Sequence, residues 1–179
     1  VMAIPGAYQV ATPFGANIGG VSPAMFGAMA AAEFDSWLTV GITDGDTAGA
    51  LSSIGMDFAA WDENTPLPVQ DPPVGGALFW MDPTSGPTGS AVLAQLTVAA
   101  DASGTATMGV QGQAPSGLDW QHDNAVWTWG PNSSTPPPPP PTNTGDATGE
   151  TSVEVMSASV DASKQTIRLW VTLTAEQAN

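Results

Sequence analysis

Apolar and polar residues alternate with a period of two over several stretches of the chain, which predicts a mainly β protein. The first stretch, Phe34–Ile42, predicts a strand with one buried face. Runs rich in Val, Leu, Thr or Trp predict further strands at Ala77–Met81, Ser90–Ala100, Gly104–Gln113 and Asn124–Gly130. Because only the short turn Asp101–Gly104 separates Ser90–Ala100 from Gly104–Gln113, we expect these two strands to pair.

One short helix is predicted near the N-terminal end. Ser22 followed by Pro23 is typical of a helix start, with Ser as N-cap and Pro at the first helical position. The residues that follow, Ala24–Glu33, are rich in Ala and Met and could form two or three turns. Leu51–Trp61 fits either a strand or a short helix.

A proline-rich segment, Pro131–Gly149, interrupts the pattern. Its centre is a run of six prolines, Pro136–Pro141. Six prolines favour a polyproline II rod of about 19 Å, at about 3.1 Å per residue. We therefore predict a stiff linker over residues 131–149.

A terminal β-hairpin is predicted after the linker, with strands at Ser152–Val160 and Gln165–Thr174 around the turn Asp161–Lys164. An isolated hairpin is only marginally stable in water. The apolar side of its last strand must therefore be covered, either by its own domain or by a neighbouring molecule. The residues predicted to form an assembly interface are Ile167, Leu169, Trp170, Val171 and Leu173.

Taken together, these elements predict a β-sandwich or jelly-roll-like domain with one short helix, a polyproline linker and a C-terminal β-hairpin. The expected boundaries are 1–130 for the domain, 131–149 for the linker and 150–179 for the hairpin.

The charge balance limits the classes of partner that the protein can bind. The chain has 17 acidic residues and two basic ones, Lys164 and Arg168, so its formal net charge is −15. Nucleic acid is excluded as a partner because neutralising phosphates requires cations. Insertion into a membrane is not expected either, since the longest apolar run, Ala24–Ala32, is far too short to span a bilayer.

The same composition favours an extracellular location. No Lys or Arg precedes Lys164, so a trypsin-like protease has no cleavage site over most of the chain. Salt water would also screen the unbalanced charge over about 3–4 Å. The chain contains no cysteine, which removes thiol catalysis and thiolate metal sites, and its length makes disulfides unnecessary.

Catalytic chemistry has little support in the sequence, and we expect that the protein is not an enzyme. His122 is the only histidine and lies outside any known catalytic motif. A pair of carboxylates could suffice for a glycosidase, but sequence alone cannot bring two of them together. The candidates are Asp57, Asp62, Glu63, Asp119 and Asp123.

Calcium is the one cofactor that the sequence suggests. Asp44 and Asp46 flank Gly45 in a loop after a predicted strand, and Ca²⁺ prefers carboxylate and carbonyl oxygens. A plain polar turn is the alternative. Asn132 begins an Asn-Ser-Ser glycosylation sequon beside the proline run and is expected to be exposed.

The tryptophans allow two interpretations. Trp side chains can form a stacking surface for sugars, or they can anchor a core or a subunit interface. Trp127 and Trp129 share one face of a predicted strand. The other candidates are Trp37, Trp120 and Trp170.

Several segments are similar to one family. They are Glu33–Gly41, Leu51–Phe58, Leu78–Pro83 followed by Val92–Thr97, and Gly117–Trp120. In these segments the chain resembles a group of secreted β-domains from planktonic, mostly marine, microbes. The resemblance covers about residues 1–130 and implies a location and a fold rather than an activity.

Two functions from different classes follow as expectations. The first is an extracellular structural protein, a subunit of a filament, sheath or surface layer that assembles as a homo-oligomer when hairpins dock between subunits. The second is a calcium-dependent module for binding glycans or for adhesion. Electron microscopy and a glycan array, respectively, would test them.

Overall fold

The computed structural model describes residues 2–113, 119–131 and 150–172 and is mainly β, with antiparallel sheets, which confirms the predicted fold class. Three short 3₁₀ helices occur at Pro23–Met25, Ala30–Phe34 and Phe58–Ala60. The strands are β1 (Trp37–Leu38), β2 (Leu51–Ile54), β3 (Ala77–Trp80), β4 (Ser90–Ala99), β5 (Gly104–Gln113), β6 (Asp119–Trp129), β7 (Glu150–Val155) and β8 (Lys164–Thr172).

The strands form three antiparallel groups. A four-stranded sheet has the order β1-β4-β8-β7, and β5 pairs with β6 and β2 with β3. The terminal hairpin, β7–β8, is therefore part of the main sheet rather than a separate body. The predicted linker lies outside the described residues, apart from Pro131.

The main core lies between the four-stranded sheet and the β5–β6 hairpin, in a sandwich-like arrangement. Alternate side chains along the strands of both layers meet there, as expected when two sheets bury one face each. Its largest buried members include Trp127 from β6 and Ile4 from the N-terminal segment. The strand residues that share this cluster include Leu93, Ala94, Leu96, Ala106, Met108, Ala125, Trp127, Trp129, Val153, Ile167, Leu169 and Val171.

The opposite face of the four-stranded sheet is covered by the chain before β1. A smaller apolar cluster forms there from Val21, Ala32, Trp37 and Val92. Trp170 of β8 packs against its margin. Both faces of β4 are consequently buried, and so are seven consecutive residues, Ala91–Thr97.

The predicted helix at Ala24–Glu33 is wrong. The segment forms two short 3₁₀ helices separated by residues 26–29, and Pro23 does lie in the first turn, as predicted. Most side chains between Pro23 and Ala30 are exposed, so the segment has no apolar stripe to pack as a regular α-helix.

The prediction of one buried face for Phe34–Ile42 is also wrong. Only Trp37–Leu38 form a strand, and Asp35 and Ser36 are as buried as their apolar neighbours. This stretch lies between the sheet and the N-terminal segment. Alternation in sequence therefore does not correspond to alternation in exposure.

Two expectations about the other strands are wrong as well. Ser90–Ala99 pairs with β1 and β8, and Gly104–Gln113 pairs with β6, so β4 and β5 do not form a hairpin. Ala77–Trp80 is a strand, but Ala77 and Phe79 face solvent, because β3 pairs only with the short β2 outside the main sheet.

Among the residues described, no helix is long and apolar enough to cross a membrane.

Candidate assembly interface

The terminal hairpin contributes an interior strand to the main sheet. β8 pairs with β4 from Ser90 opposite Thr172 to Ala99 opposite Lys164, with an irregularity in register between Val92 and Ala94. On its other side β8 pairs with β7. We call residues 2–113 and 119–131 the body, and the contact between the hairpin and the body the seam. Without the hairpin, β4 would present an unpaired edge whose side chains are apolar.

The apolar side of the seam is the predicted stripe of β8. Ile167, Leu169 and Val171 are buried in the main core beside Leu96. Burial of such side chains stabilises a fold by about 2 kcal/mol each. The structure thus covers the stripe within one chain, and the stripe alone does not require a partner. Leu173, the last residue of the predicted interface, lies outside the described residues.

A tryptophan of the body also holds the backbone of β8. The indole Nε1 of Trp127 donates a hydrogen bond to the carbonyl oxygen of Trp170 at 2.8 Å. The Trp170 side chain is half-buried on the other face of the sheet, where its Nε1 donates to Oε2 of Glu154 in β7 at 2.9 Å. The strand is therefore held from both faces.

The polar side of the seam is centred on Gln95, which is 1% exposed. Its Nε2 donates to the carbonyl oxygens of Glu33 and Asp35, at 3.0 and 2.9 Å, and its Oε1 accepts from Nε of Arg168 at 3.1 Å. The amide thus links β8 to the segment before β1. A buried amide with these partners is costly to leave unsatisfied.

Two threonines continue the polar side. The hydroxyls of Thr97 and Thr166 lie 2.7 Å apart across the seam, and both side chains are fully buried. The Thr97 hydroxyl also donates to the carbonyl oxygen of Phe34 at 2.6 Å, and its backbone N–H donates to the hydroxyl of Ser36 at 2.9 Å. Alternation along β8 places Thr166 on the face opposite the apolar stripe, and the contacts with the segment before β1 bury that face as well.

The only two basic residues of the chain both lie on β8 and both contact the body. Lys164 Nζ forms an ion pair with Oε1 of Glu63 at 2.7 Å and lies 5.5 Å from the centre of the Tyr8 ring. The hydrogen bond with Glu63 raises the pKa of Lys164 above its ordinary value. Arg168 lies 6.0 Å from the centre of the Trp37 ring, within the range of a cation–π contact.

Asp35 is a buried carboxylate that sequence reasoning missed. Its two oxygens accept backbone N–H groups of Val10 and Ala16, each at 2.7 Å, so it holds the N-terminal segment against the sheet. Desolvation raises its pKa to about 6, and the backbone hydrogen bonds only partly offset this shift. The pattern of the sequence placed Asp35 on an exposed face, and no local motif distinguishes it from a surface acid.

The predicted calcium ligands are not brought together with other acids. Both oxygens of Asp46 accept backbone N–H groups, from Ala50 and Leu51, each at 2.8 Å, while Asp44 is exposed. Within residues 2–113, 119–131 and 150–172, no group of three or more His, Cys, Asp or Glu side chains could hold a metal ion. Calcium binding stays a prediction, and Asn132 lies outside the described residues.

The carboxylates considered for hydrolysis serve local structure. Asp57 and Asp62 accept backbone N–H groups two residues further on, and Glu63 is paired with Lys164. Asp123 accepts a hydrogen bond from Gln121, beside the half-buried His122. Asp119 lies in β6 and only its backbone is described.

Three of the five tryptophans considered as a sugar platform are core residues. Trp37, Trp127 and Trp129 are at most 3% exposed, so their rings cannot stack on a glycan at the surface. Trp170 is half-buried in the seam, and the side chain of Trp120 is not described. The core interpretation is confirmed for the three buried rings.

A search of family models, curated proteins and solved structures finds no match to this chain. The resemblance to secreted planktonic β-domains therefore stays a prediction.

Proposed function

We propose that the protein is an extracellular structural subunit of a filament, sheath or surface layer, in which the hairpin of one chain docks on the body of the next. The observation that carries this proposal is the position of β8. It is an interior strand of the main sheet. The covalent connection between the body and the hairpin that contains β8 is the proline-rich segment 132–149.

Exchange of the hairpin between chains would preserve the contacts of the seam. The hydrogen bonds and apolar contacts across it join residues of the body to residues of β8, so a hairpin from another copy can make the same set. Exchange of an identical element between copies is a low-cost route to assembly. Donation from each chain to the next is head-to-tail, and such contacts extend into filaments unless they close into rings.

The charges support a directed contact. The first 131 residues contain twelve acidic and no basic residues, whereas β8 carries both cations of the chain. Two bodies with this charge repel each other, but a hairpin that presents Lys164 and Arg168 is attracted to a body. Complementary charge mainly determines partner choice and the rate of association.

The extracellular location rests on composition. Scarcity of Lys and Arg protects an exposed chain from trypsin-like proteases, and a saline medium screens the net charge of −15. A fold that buries Gln95, Thr97 and Thr166 in a satisfied network has no need of disulfides to fix its strands.

The experiment is to examine the purified full chain by negative-stain electron microscopy and light scattering, from low salt to about seawater ionic strength, with calcium and with chelator. Filaments, sheets or a concentration-dependent series of oligomers are expected at high salt. Monomers under every condition would contradict the proposal.

A further inference from the structure

We propose that Lys164 and Arg168 are the residues by which the body recognises a hairpin and fixes its register, so that the seam selects a strand with two cations four residues apart on one face. For docking between chains this inference rests on the proposed function. For docking within a chain it stands alone.

The apolar stripe cannot fix the register by itself. A slip of one residue would turn the stripe away from the core and is strongly disfavoured. A slip of two residues towards the Ala99 end of β4 keeps Ile167, Leu169 and Val171 on the same face and opposite other apolar residues of β4. Something on the polar face must therefore distinguish the native register from a two-residue slip.

The two cations make that distinction, and the Thr97–Thr166 hydroxyl pair, which the slip would also separate, adds to it. In the native register Arg168 is opposite Gln95, and Lys164 reaches Glu63. This slip would place Arg168 opposite Thr97 and would move Lys164 by about 7 Å. It would leave Oε1 of Gln95 buried without its donor.

The surroundings make these contacts selective. The body has no basic residue that could replace the cations of β8, and twelve acidic residues that disfavour an anionic strand in their place. The aromatic rings of Tyr8 and Trp37 lie beside Lys164 and Arg168, respectively. Each cation therefore has its own polar partner and its own ring on the body.

The absence of native cysteines allows the register to be read by cross-linking. Val98→Cys with Gln165→Cys joins residues that are opposite in the native register, and Ala100→Cys with Gln165→Cys reports the two-residue slip that places Arg168 opposite Thr97. In the full chain under mild oxidation, we expect the native pair to cross-link at least about tenfold more than the slipped pair.

Neutralising both cations, with Lys164→Gln and Arg168→Gln, should raise the ratio of slipped to native cross-link about tenfold. Asp71→Asn changes an exposed charge of the body that takes no part in the seam contacts described above, so it should leave the ratio unchanged. If the double variant does not fold, Lys164→Gln alone should raise the ratio about threefold. A ratio within twofold of the parent in the folded variants would overturn the proposal.

The same cross-linking experiment distinguishes a failure of this inference from a failure of the proposed function. Cross-links between chains would support assembly, and cross-links only within chains would contradict it. In both cases the change in the ratio on neutralisation decides the role of the cations.

Discussion

Nε of Arg168 donates a hydrogen bond to Oε1 of Gln95 at 3.1 Å, and so joins the terminal strand to a buried amide that also holds the segment before β1. This contact connects three parts of the chain that are far apart in sequence. It explains why one of only two basic residues lies at the centre of the seam.

Removal of this donor should destabilise the fold. Arg168→Met leaves Oε1 of Gln95 buried and unsatisfied, which should lower the free energy of unfolding by about 2 kcal/mol in urea. Gln95→Met removes further hydrogen bonds and should cost more. The double variant should cost about 1 kcal/mol less than the sum of the two changes, and strict additivity would show that the side chains are not coupled.

The apolar side of the seam should contribute more to the free energy of unfolding than the polar side does. Leu169 is fully buried, and Leu169→Ala should lower the free energy of unfolding by about 3 kcal/mol through lost burial and a cavity. Val155→Ala, on the neighbouring strand of the same hairpin but 48% exposed, is the matched control and should cost less than about 0.5 kcal/mol. Equal effects in denaturant unfolding would mean that the stripe is not in the core.

Stability should rise on mild acidification because of Asp35. Its pKa is about 6 in the folded state against an ordinary 3.8, so the folded state binds the proton more tightly. The penalty is complete above pH 6 and disappears as the pH falls to 3.8. The gain should reach at most about 3 kcal/mol, at about 1.4 kcal/mol per pKa unit.

Urea unfolding between pH 4 and 7.5 in high salt, which screens the net charge, measures this gain. Asp35→Asn should remove it, and Asp62→Asn at the surface should not. The pKa of Asp62 lies below its ordinary value. Protonation of Asp62 therefore changes stability only at a pH below the range over which Asp35 titrates. A profile of Asp35→Asn parallel to that of the parent would contradict the assignment.

Gly15 should be essential to the site of Asp35. A Cβ atom at Gly15 would clash with the carbonyl oxygen of Val10 and lie 2.8 Å from Oδ2 of Asp35. Gly15→Ala should therefore lower the midpoint of thermal unfolding by several degrees. At Gly27 nothing lies within 4 Å of such an atom, so Gly27→Ala should be neutral or slightly stabilising. Similar midpoints for both variants would contradict this account.

Local pattern predicted much of the strand content. Ser90–Ala99, Gly104–Gln113 and the stripe of β8 follow from the period of two and from residues that favour strands. Trp127 and Trp129 lie on one buried face, as the alternation predicted. Local alternation and residue preference were therefore sufficient to locate these strands.

Pairing and double burial could not be predicted in this way. β4 pairs with β8, about seventy residues further along the chain, because that strand buries the aliphatic face of β4. The short turn after β4 does not indicate this pairing. Asp35, Ser36 and Thr97 are buried because the N-terminal segment covers the second face of the sheet. Only contacts distant in sequence reveal that layer.

The most direct test of hairpin docking between subunits uses two full-length variants with one cysteine each. Val98→Cys in one chain and Gln165→Cys in the other are opposite across the seam, so a disulfide between them requires the hairpin of one chain to dock on the body of another. After co-refolding and mild oxidation, we predict a covalent heterodimer at seawater ionic strength, and none when Ser163→Cys replaces Gln165→Cys. Folded chains that form no such heterodimer, while the doubly substituted single chain cross-links within itself, would contradict assembly by hairpin exchange.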